Sequence, residues 1–370
     1  MGAKLHEHVA RLFPGATLLA IEPLAPDSGA TSSSTTKVAG YGHPVRLVID
    51  DHGKLRELVW RVAAANDFGH DRRSDRAAEI LLAHDDFAAI PEHVQPIDVG
   101  AVRENGELVS LRDAGELYLV TTYAAGTIYA DDLRRLATGA PLSDLDMQRV
   151  DVLASYLADL HVPIADGGKR YRRAIRDLIG HGEGIYGIVD GYPEDVPAAP
   201  PSRLHAIEER CASWRELLRN RGERLARTHG DFHPFNIVFD RLAPTMLDAS
   251  RGACGDPADD VTALAINFML FAIDARETWH DGLGVLWRRW WSRRAALRPD
   301  PELLAVAPPF FAWRALVVCN PRFYPKLSPD GREAMLGFAE RALDAGRLDP
   351  RAAEALFDGS MAGSTDRVRF

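Results

Sequence analysis

Residues 228–240 read THGDFHPFNIVFD and place His229, Asp231, His233 and Asn236 in one short loop. Twelve positions beyond Asn236 stands Asp248, in the run TMLDASRG. Ile237 to Phe239 and Thr245 to Leu247 are apolar runs of strand length with a turn between them. Paired as a hairpin, they bring Asn236 and Asp248 side by side. An amide oxygen and a carboxylate oxygen are hard donors suited to Mg²⁺, which keeps waters and substrate phosphates in the rest of its shell. Asp231, five positions before Asn236, faces the same space without being a ligand. A carboxylate there can accept the proton of an attacking hydroxyl. His229 and His233 have the spacing of a zinc pair on a helix, but Pro234 disfavours a continuous helix and no further ligand pattern follows. His233 is therefore read as a loop residue near substrate or phosphate.

The elements that must hold this loop are mostly helical. Apolar periodicity predicts helices over 147–161, 202–225, 261–273, 283–297, 301–318 and 331–343. The first third reads differently. Apolar runs at 16–24, 45–49 and 58–63 are strand-like, with DDHG as a hairpin turn between the second and third. One helix follows at 72–84, with Ala77, Ile80, Leu81 and Leu82 on its apolar side, and further strands are expected at 94–102 and 117–122. The pattern is an α+β protein of two lobes: a small, mainly antiparallel β lobe over 1–123 and a larger, mainly α lobe over 124–370.

HGDxxxxN, an Asp-led loop and then GDPADD (255–260) together resemble the aminoglycoside phosphotransferase and choline kinase family. The fold of that family is similar to that of protein kinases. The resemblance implies Asp231 as catalytic base, Asn236 and Asp248 as metal ligands, and His229 as the residue that organises the loop. GDPADDV resembles the family's GDPxxDLA box, where Asp260 would tie the next helix to the catalytic loop. Asp256, before Pro257, reads as a turn or helix N-cap residue. The likeness covers about residues 15 to 275 and is weakest in the phosphate loop.

Kinases hold their nucleotide with a phosphate loop, a cation on the third strand and a helix glutamate that holds the cation. Here PDSGATSSSTTK (26–37) occupies the loop position, with no GxGxxG and no Walker A pattern. Phosphates are then held by hydroxyls, Ser32 and Ser33 among them, and by backbone N–H groups. Arg61 in LVWRVA stands where protein kinases carry lysine, and Glu79 in RAAEILL fits its partner. Thr122 and Tyr123, in TTYAAG, resemble the hinge that binds adenine. The co-substrates expected are Mg²⁺ and ATP or GTP. A catalytically silent nucleotide-binding regulator is the alternative that the unusual phosphate loop keeps open.

The acceptor is expected to be a small molecule, an aminoglycoside-like antibiotic or a metabolite with a hydroxyl. The span KRYRRAIRDLIGHGEGIYGIVDGYP (169–193) crowds charges among glycines, and Arg172, Arg173, Asp177, His181 and Glu183 are its acceptor-binding candidates. Ser250 and Arg251 either touch phosphate or acceptor or belong to a solvated loop. WRRWWSRR (287–294) has the mixture of aromatics and cations that can bind nucleic acid. Its tryptophans also fit one apolar helix face, with the arginines outward, and that reading is preferred.

Lys and Arg total 44 against 53 Asp and Glu, a net charge of −9 that argues against broad nucleic-acid binding. The longest apolar stretch, Val261 to Ile273, is interrupted by Thr262 and Asn267 and falls short of the ~20 residues of a membrane span. The N-terminal MGAKLHEHVARLF lacks the apolar core of a secretory leader. Cys211, Cys254 and Cys319 are odd in number, with no CxxC. The expected location is the cytoplasm.

Overall fold

The computed structural model describes residues 2–24, 44–165 and 167–358. They form two compact units, Met1–Thr121 and Thr122–Phe370. The class is α+β, as the sequence predicts.

In the first unit, helix α1 (Gly2–Leu12) precedes strands β1 (Thr17–Pro23), β2 (Val45–Asp51) and β3 (Lys54–Trp60). They pair antiparallel in the order β1-β2-β3. Asp51 pairs with Lys54, so His52 and Gly53 alone make the turn, at φ 55° and 83°. Two left-handed residues give the turn whose twist matches the flanking strands. So tight a turn starts β3 at Lys54 rather than Leu58, and Arg61 falls just past the strand instead of within it. Alternation then sends Leu47 and Ile49 to one face, where they meet Leu5 and Val9 of α1, Leu18 and Leu108. Helix α2 (Arg73–Asp86) and a small hairpin of β4 (Gly100–Val102) and β5 (Leu108–Ser110) complete the unit.

Two strand expectations need correction. The run 94–102 pairs only from Gly100, and 117–122 forms no strand. Leu117, Tyr118, Leu119 and Val120 are all exposed and have no ladder partners among the described residues. An apolar run becomes a strand only when another edge satisfies its backbone groups.

The second unit opens with β6 (Thr127–Ile128), α3 (Tyr129–Ala137), α4 (Asp144–Leu160), α5 (Gly168–Gly180), α6 (Ile185–Asp190) and α7 (Pro201–Leu218). Strands β7 (Ile237–Asp240) and β8 (Ala243–Met246) follow, and with β6 they make a sheet of order β6-β7-β8. Then come α8 (Pro257–Ile273), α9 (Gly284–Leu297), α10 (Leu303–Val306), α11 (Pro308–Cys319) and α12 (Pro329–Asp344).

Helix α8 is buried on every side except at Phe271 and packs against α9, α11 and α12. A helix apolar all round belongs at the centre of a core. Asp256 caps its N-terminus by accepting from Ala258 N at 2.9 Å, with Pro257 in the first turn. In α9, Trp287 and Trp290 are buried while Arg288 pairs with Glu354, and Arg289 and Arg293 with Asp151. Arg294 departs from the expected outward set: it is 1% exposed. No helix among the described residues is long and apolar enough to cross a membrane.

Candidate active site

The loop carrying His229 and Asp231 is anchored from α8. Asp260 accepts from His229 N at 2.9 Å and from Gly230 N at 2.8 Å, and it is fully buried. Its third partner is His161, at the end of α4, whose Nε2 lies 3.0 Å from Oδ2. Arg294 Nη2 donates to His161 Nδ1 at 3.1 Å, so the ring proton must sit on Nε2 and point at the carboxylate. Burial alone would raise the Asp260 pKa; the His161 hydrogen bond and the two backbone N–H donors outweigh it and hold it below the usual range. Arg294 is pushed down to about 10 by burial and by neighbouring Arg298.

His229 takes the same tautomer. Its Nδ1 accepts from Asp231 N at 3.2 Å and its Nε2 donates to Leu247 O at 2.7 Å. It thereby ties the loop to the end of β8. Gly230 has φ +82°, and a Cβ there would lie 2.2 Å from Ser250 O, so both conformation and space require glycine.

The β7–β8 hairpin brings the remaining groups together. Ile237 pairs with Met246, and Leu247 N donates to Asn236 O at 2.8 Å. The Asn236 side chain bridges the gap: Nδ2 lies 3.1 Å from Asp231 Oδ2 and 3.3 Å from Asp248 O. With its nitrogen so engaged, Oδ1 is left without a donor among the described residues. Asp248 has φ 29° and Arg251 φ 54°, left-handed conformations uncommon for side-chain-bearing residues. The Asp248 carboxylate has no hydrogen bond or ion pair among the described residues and is exposed. An amide oxygen without a donor and an unpaired carboxylate, on two residues in contact, are hard donors of the kind that suit Mg²⁺.

Asp231 is held at both oxygens. Arg314 Nη1 donates to Oδ1 at 2.6 Å, and His233 Nε2 lies 3.2 Å from Oδ2. His233 Nδ1 accepts from Phe235 N at 3.2 Å, so its proton also resides on Nε2. Burial would raise the Asp231 pKa, but the His233 hydrogen bond and the Arg314 charge carry it well below the carboxylate range. The group is therefore ionised at neutral pH and able to accept a hydrogen bond from a hydroxyl.

Sequence reasoning missed Arg314 and Asp259. Arg314 Nη2 also donates to Gly230 O at 3.0 Å and to Asp259 Oδ1 at 2.9 Å. Asp259 Oδ2 accepts from Arg251 Nη2 at 2.6 Å, and both guanidiniums lie over the Trp313 ring, at 3.7 Å and 4.0 Å. The signal was a lone arginine in the apolar run PPFFAWRALVV, since a buried charge needs a partner. Arg251, read as either a ligand contact or a solvated loop residue, belongs to this cluster instead.

The other expected residues are spread more widely. Glu183 reaches this region: Ser250 Oγ donates to its Oε2 at 3.2 Å, and Trp313 Nε1 to its backbone O at 2.9 Å. His181 caps α5 and accepts from Glu183 N. Arg173 and Asp177 pair at 2.8 Å along α5, and Arg172 is exposed on the same helix. In the first unit the expected Arg61–Glu79 ion pair is not formed. Glu79 lies 3.1 Å from His70 Nε2, and the Arg61 guanidinium stands over the Phe87 ring at 5.8 Å. Thr122 and Tyr123 lie in an irregular, exposed stretch that opens the second unit. Ser32 and Ser33 lie outside the described residues.

No family model and no curated protein sequence matches this chain. Solved structures do. A glucosamine kinase in complex with glucosamine, ADP and inorganic phosphate is similar over 59% of this chain and 58% of its own, at 17% identity and TM-score 0.36. That likeness spans less than two thirds of the kinase. An ethanolamine kinase of Plasmodium vivax is similar over 88% of this chain and 86% of its own, at 10% identity and TM-score 0.36. A thermostable mutant of an aminoglycoside phosphotransferase, in a ternary complex with ADP and hygromycin B, is similar over 98% and 100%, at 14% identity and TM-score 0.34.

Proposed function

We propose that this chain is a phosphotransferase that moves the γ-phosphoryl group of ATP or GTP to a hydroxyl of a small molecule. The observation that carries the reading is the Asn236 amide, whose nitrogen touches both the Asp231 carboxylate and the Asp248 carbonyl. These contacts support a site that combines a base with two residues bearing hard-oxygen donors, in the motif HGDxxxxN that resembles the aminoglycoside phosphotransferase and choline kinase family. Phosphoryl transfer asks the protein mainly for positioning and charge neutralisation.

In this reading Asp231 orients the acceptor hydroxyl and takes its proton. Asn236 Oδ1 and the Asp248 carboxylate hold Mg²⁺, which when bound neutralises charge on the nucleotide phosphates. His229 and Asp260 keep the loop in shape. Ser32, Ser33, Arg61, Glu79, Thr122 and Tyr123 serve the nucleotide. Arg61 has no carboxylate partner among the described residues and so has its charge available for phosphate. Glu183, joined to Ser250, is the acceptor-binding candidate nearest this chemistry, with Arg172, Arg173, Asp177 and His181 on the adjoining helix and turn.

The test is ADP release from Mg·ATP and Mg·GTP across aminoglycosides, sugars, amino alcohols and nucleosides, with Asp231→Asn in parallel. A general base is worth about 10²–10⁴-fold, so the variant should lose acceptor-dependent turnover by that factor while still binding nucleotide. Nucleotide binding by wild type without turnover on any acceptor would favour the silent regulator. Absence of binding to both nucleotides would end the kinase reading.

A further inference from the structure

We infer that Arg314, on α11, is a positioning residue that presents one particular oxygen of Asp231 to the acceptor, and that the Arg251–Asp259 pair holds Arg314 in place. The inference rests on the phosphotransferase reading above.

A carboxylate oxygen has two lone pairs. At Asp231 Oδ2 both are spoken for, by Asn236 Nδ2 at 3.1 Å and by His233 Nε2 at 3.2 Å. Among the described residues Oδ1 is contacted by Arg314 alone, at 2.6 Å. The lone pair open to an acceptor hydroxyl is thus the second one on Oδ1, the oxygen Arg314 grips. The terminal torsion of an aspartate is broad and soft, so without that grip the carboxylate can rotate and offer its oxygens in other directions.

Arg314 suits this task because it is itself held at several points. Its guanidinium spans Asp231, Gly230 O and Asp259 at once, is 5% exposed, and stands over the Trp313 ring. Arg251 donates to the other oxygen of Asp259 and to the same Gly230 carbonyl, at 2.6 Å and 2.8 Å. A lysine has one ammonium and no fork, so it cannot meet three acceptors in one plane. The fold alone gives no reason for such a cation: replacing a buried ion pair by apolar residues is often neutral or stabilising. The arrangement gains its sense from the half-buried carboxylate at its end.

The experiment compares wild type with Arg314→Lys, Arg314→Met and Arg314→Ala. Each is measured for thermal melting, for steady-state Mg·ATP turnover with water and with any acceptor found, and for carbodiimide labelling of Asp231 read by peptide mass spectrometry. Small displacements of catalytic groups cost about 10²-fold, so kcat should fall by roughly that factor in the Lys and Met variants. KM for Mg·ATP should stay within about threefold, because an interaction that matters only at the reacting centre leaves nucleotide affinity alone. Millimolar guanidinium should restore part of the Arg314→Ala rate, and Asp231 labelling should rise in all three variants. A Lys variant as active as wild type, or a loss of kcat that only tracks loss of folded protein, overturns the inference and leaves the phosphotransferase reading intact. Silence of wild type with water and every acceptor overturns both together. Unchanged Asp231 labelling in Arg314→Met removes the contact itself, whatever the turnover shows.

Discussion

At the scale of single residues, three histidines near the site share one logic. His161, His229 and His233 each accept at Nδ1 and present a proton from Nε2, to Asp260, Leu247 O and Asp231 respectively. Each is thereby an oriented dipole rather than a free base. Asp260 is where this matters for stability, since it has no exposure and accepts from three partners, His161 Nε2, His229 N and Gly230 N. Its pKa is depressed in the folded state. The stabilisation it provides is therefore complete above the unfolded carboxylate value of about 3.9. It disappears as pH falls through the lower folded value. Asp260→Asn should cost about 1.5–3 kcal/mol at neutral pH, the range for hydrogen bonds to a charged group. Urea midpoints of both proteins across acid pH check this. The gap between them should shrink as pH drops below the unfolded value, and a constant gap would assign the acid sensitivity to other carboxylates.

Among the elements, α9 shows how one amphipathic segment divides its labour. Trp290 is fully buried and donates to Val261 O at 3.2 Å, so it fastens α9 to α8, the helix that carries Asp259 and Asp260. Trp290→Ala should destabilise by about 3–5 kcal/mol. Arg289, one position earlier, pairs with Asp151 on a partly exposed face. Arg289→Ala should cost less than about 1 kcal/mol. Chemical denaturation of the two variants measures the contrast. Equal costs would mean that α9 is held by its charges, as the aromatic and basic composition of WRRWWSRR alone would allow. The β7–β8 hairpin works on a similar division: its ladder sets Asn236 against Leu247, while the left-handed backbone at Asp248 and Arg251 turns the chain out of β8 and into the arginine cluster.

For the whole molecule, the two units differ in how much apolar surface supports them. The first has a small core of Leu5, Val9, Leu18, Leu47, Ile49 and Leu108. The second is organised around α8, buried along almost its full length. Local opening is easiest where few apolar contacts protect the backbone. Hydrogen exchange followed by mass spectrometry should therefore find the slowest amides in α8 and α11, and faster exchange in β1, β2 and β3. The exposed run Leu117 to Val120 should exchange fastest among these. Protection of the first unit equal to that of α8 would show that its small core is not what sets its stability.

The sequence by itself determined the α+β class, the order of strand-rich and helical regions, the Asp256 cap before Pro257, and the set of groups in the HGDxxxxN loop. These were legible because each depends on local spacing: a turn of known length, a helix period, a cap before a proline. Tertiary structure decided the rest. Arg61 and Glu79 sit at reasonable positions in their own segments, yet a short turn moved the strand start and His70 took the glutamate. The run 117–122 has strand composition but pairs with no strand among the described residues. Arg294 and Arg314 read as helix residues like any others, and only the fold reveals that one completes the His161–Asp260 anchor and the other grips Asp231, 83 residues away in the chain. Periodicity tells which side of a helix is apolar; it carries no information about which distant carboxylate a buried charge will find, because that choice is made by packing.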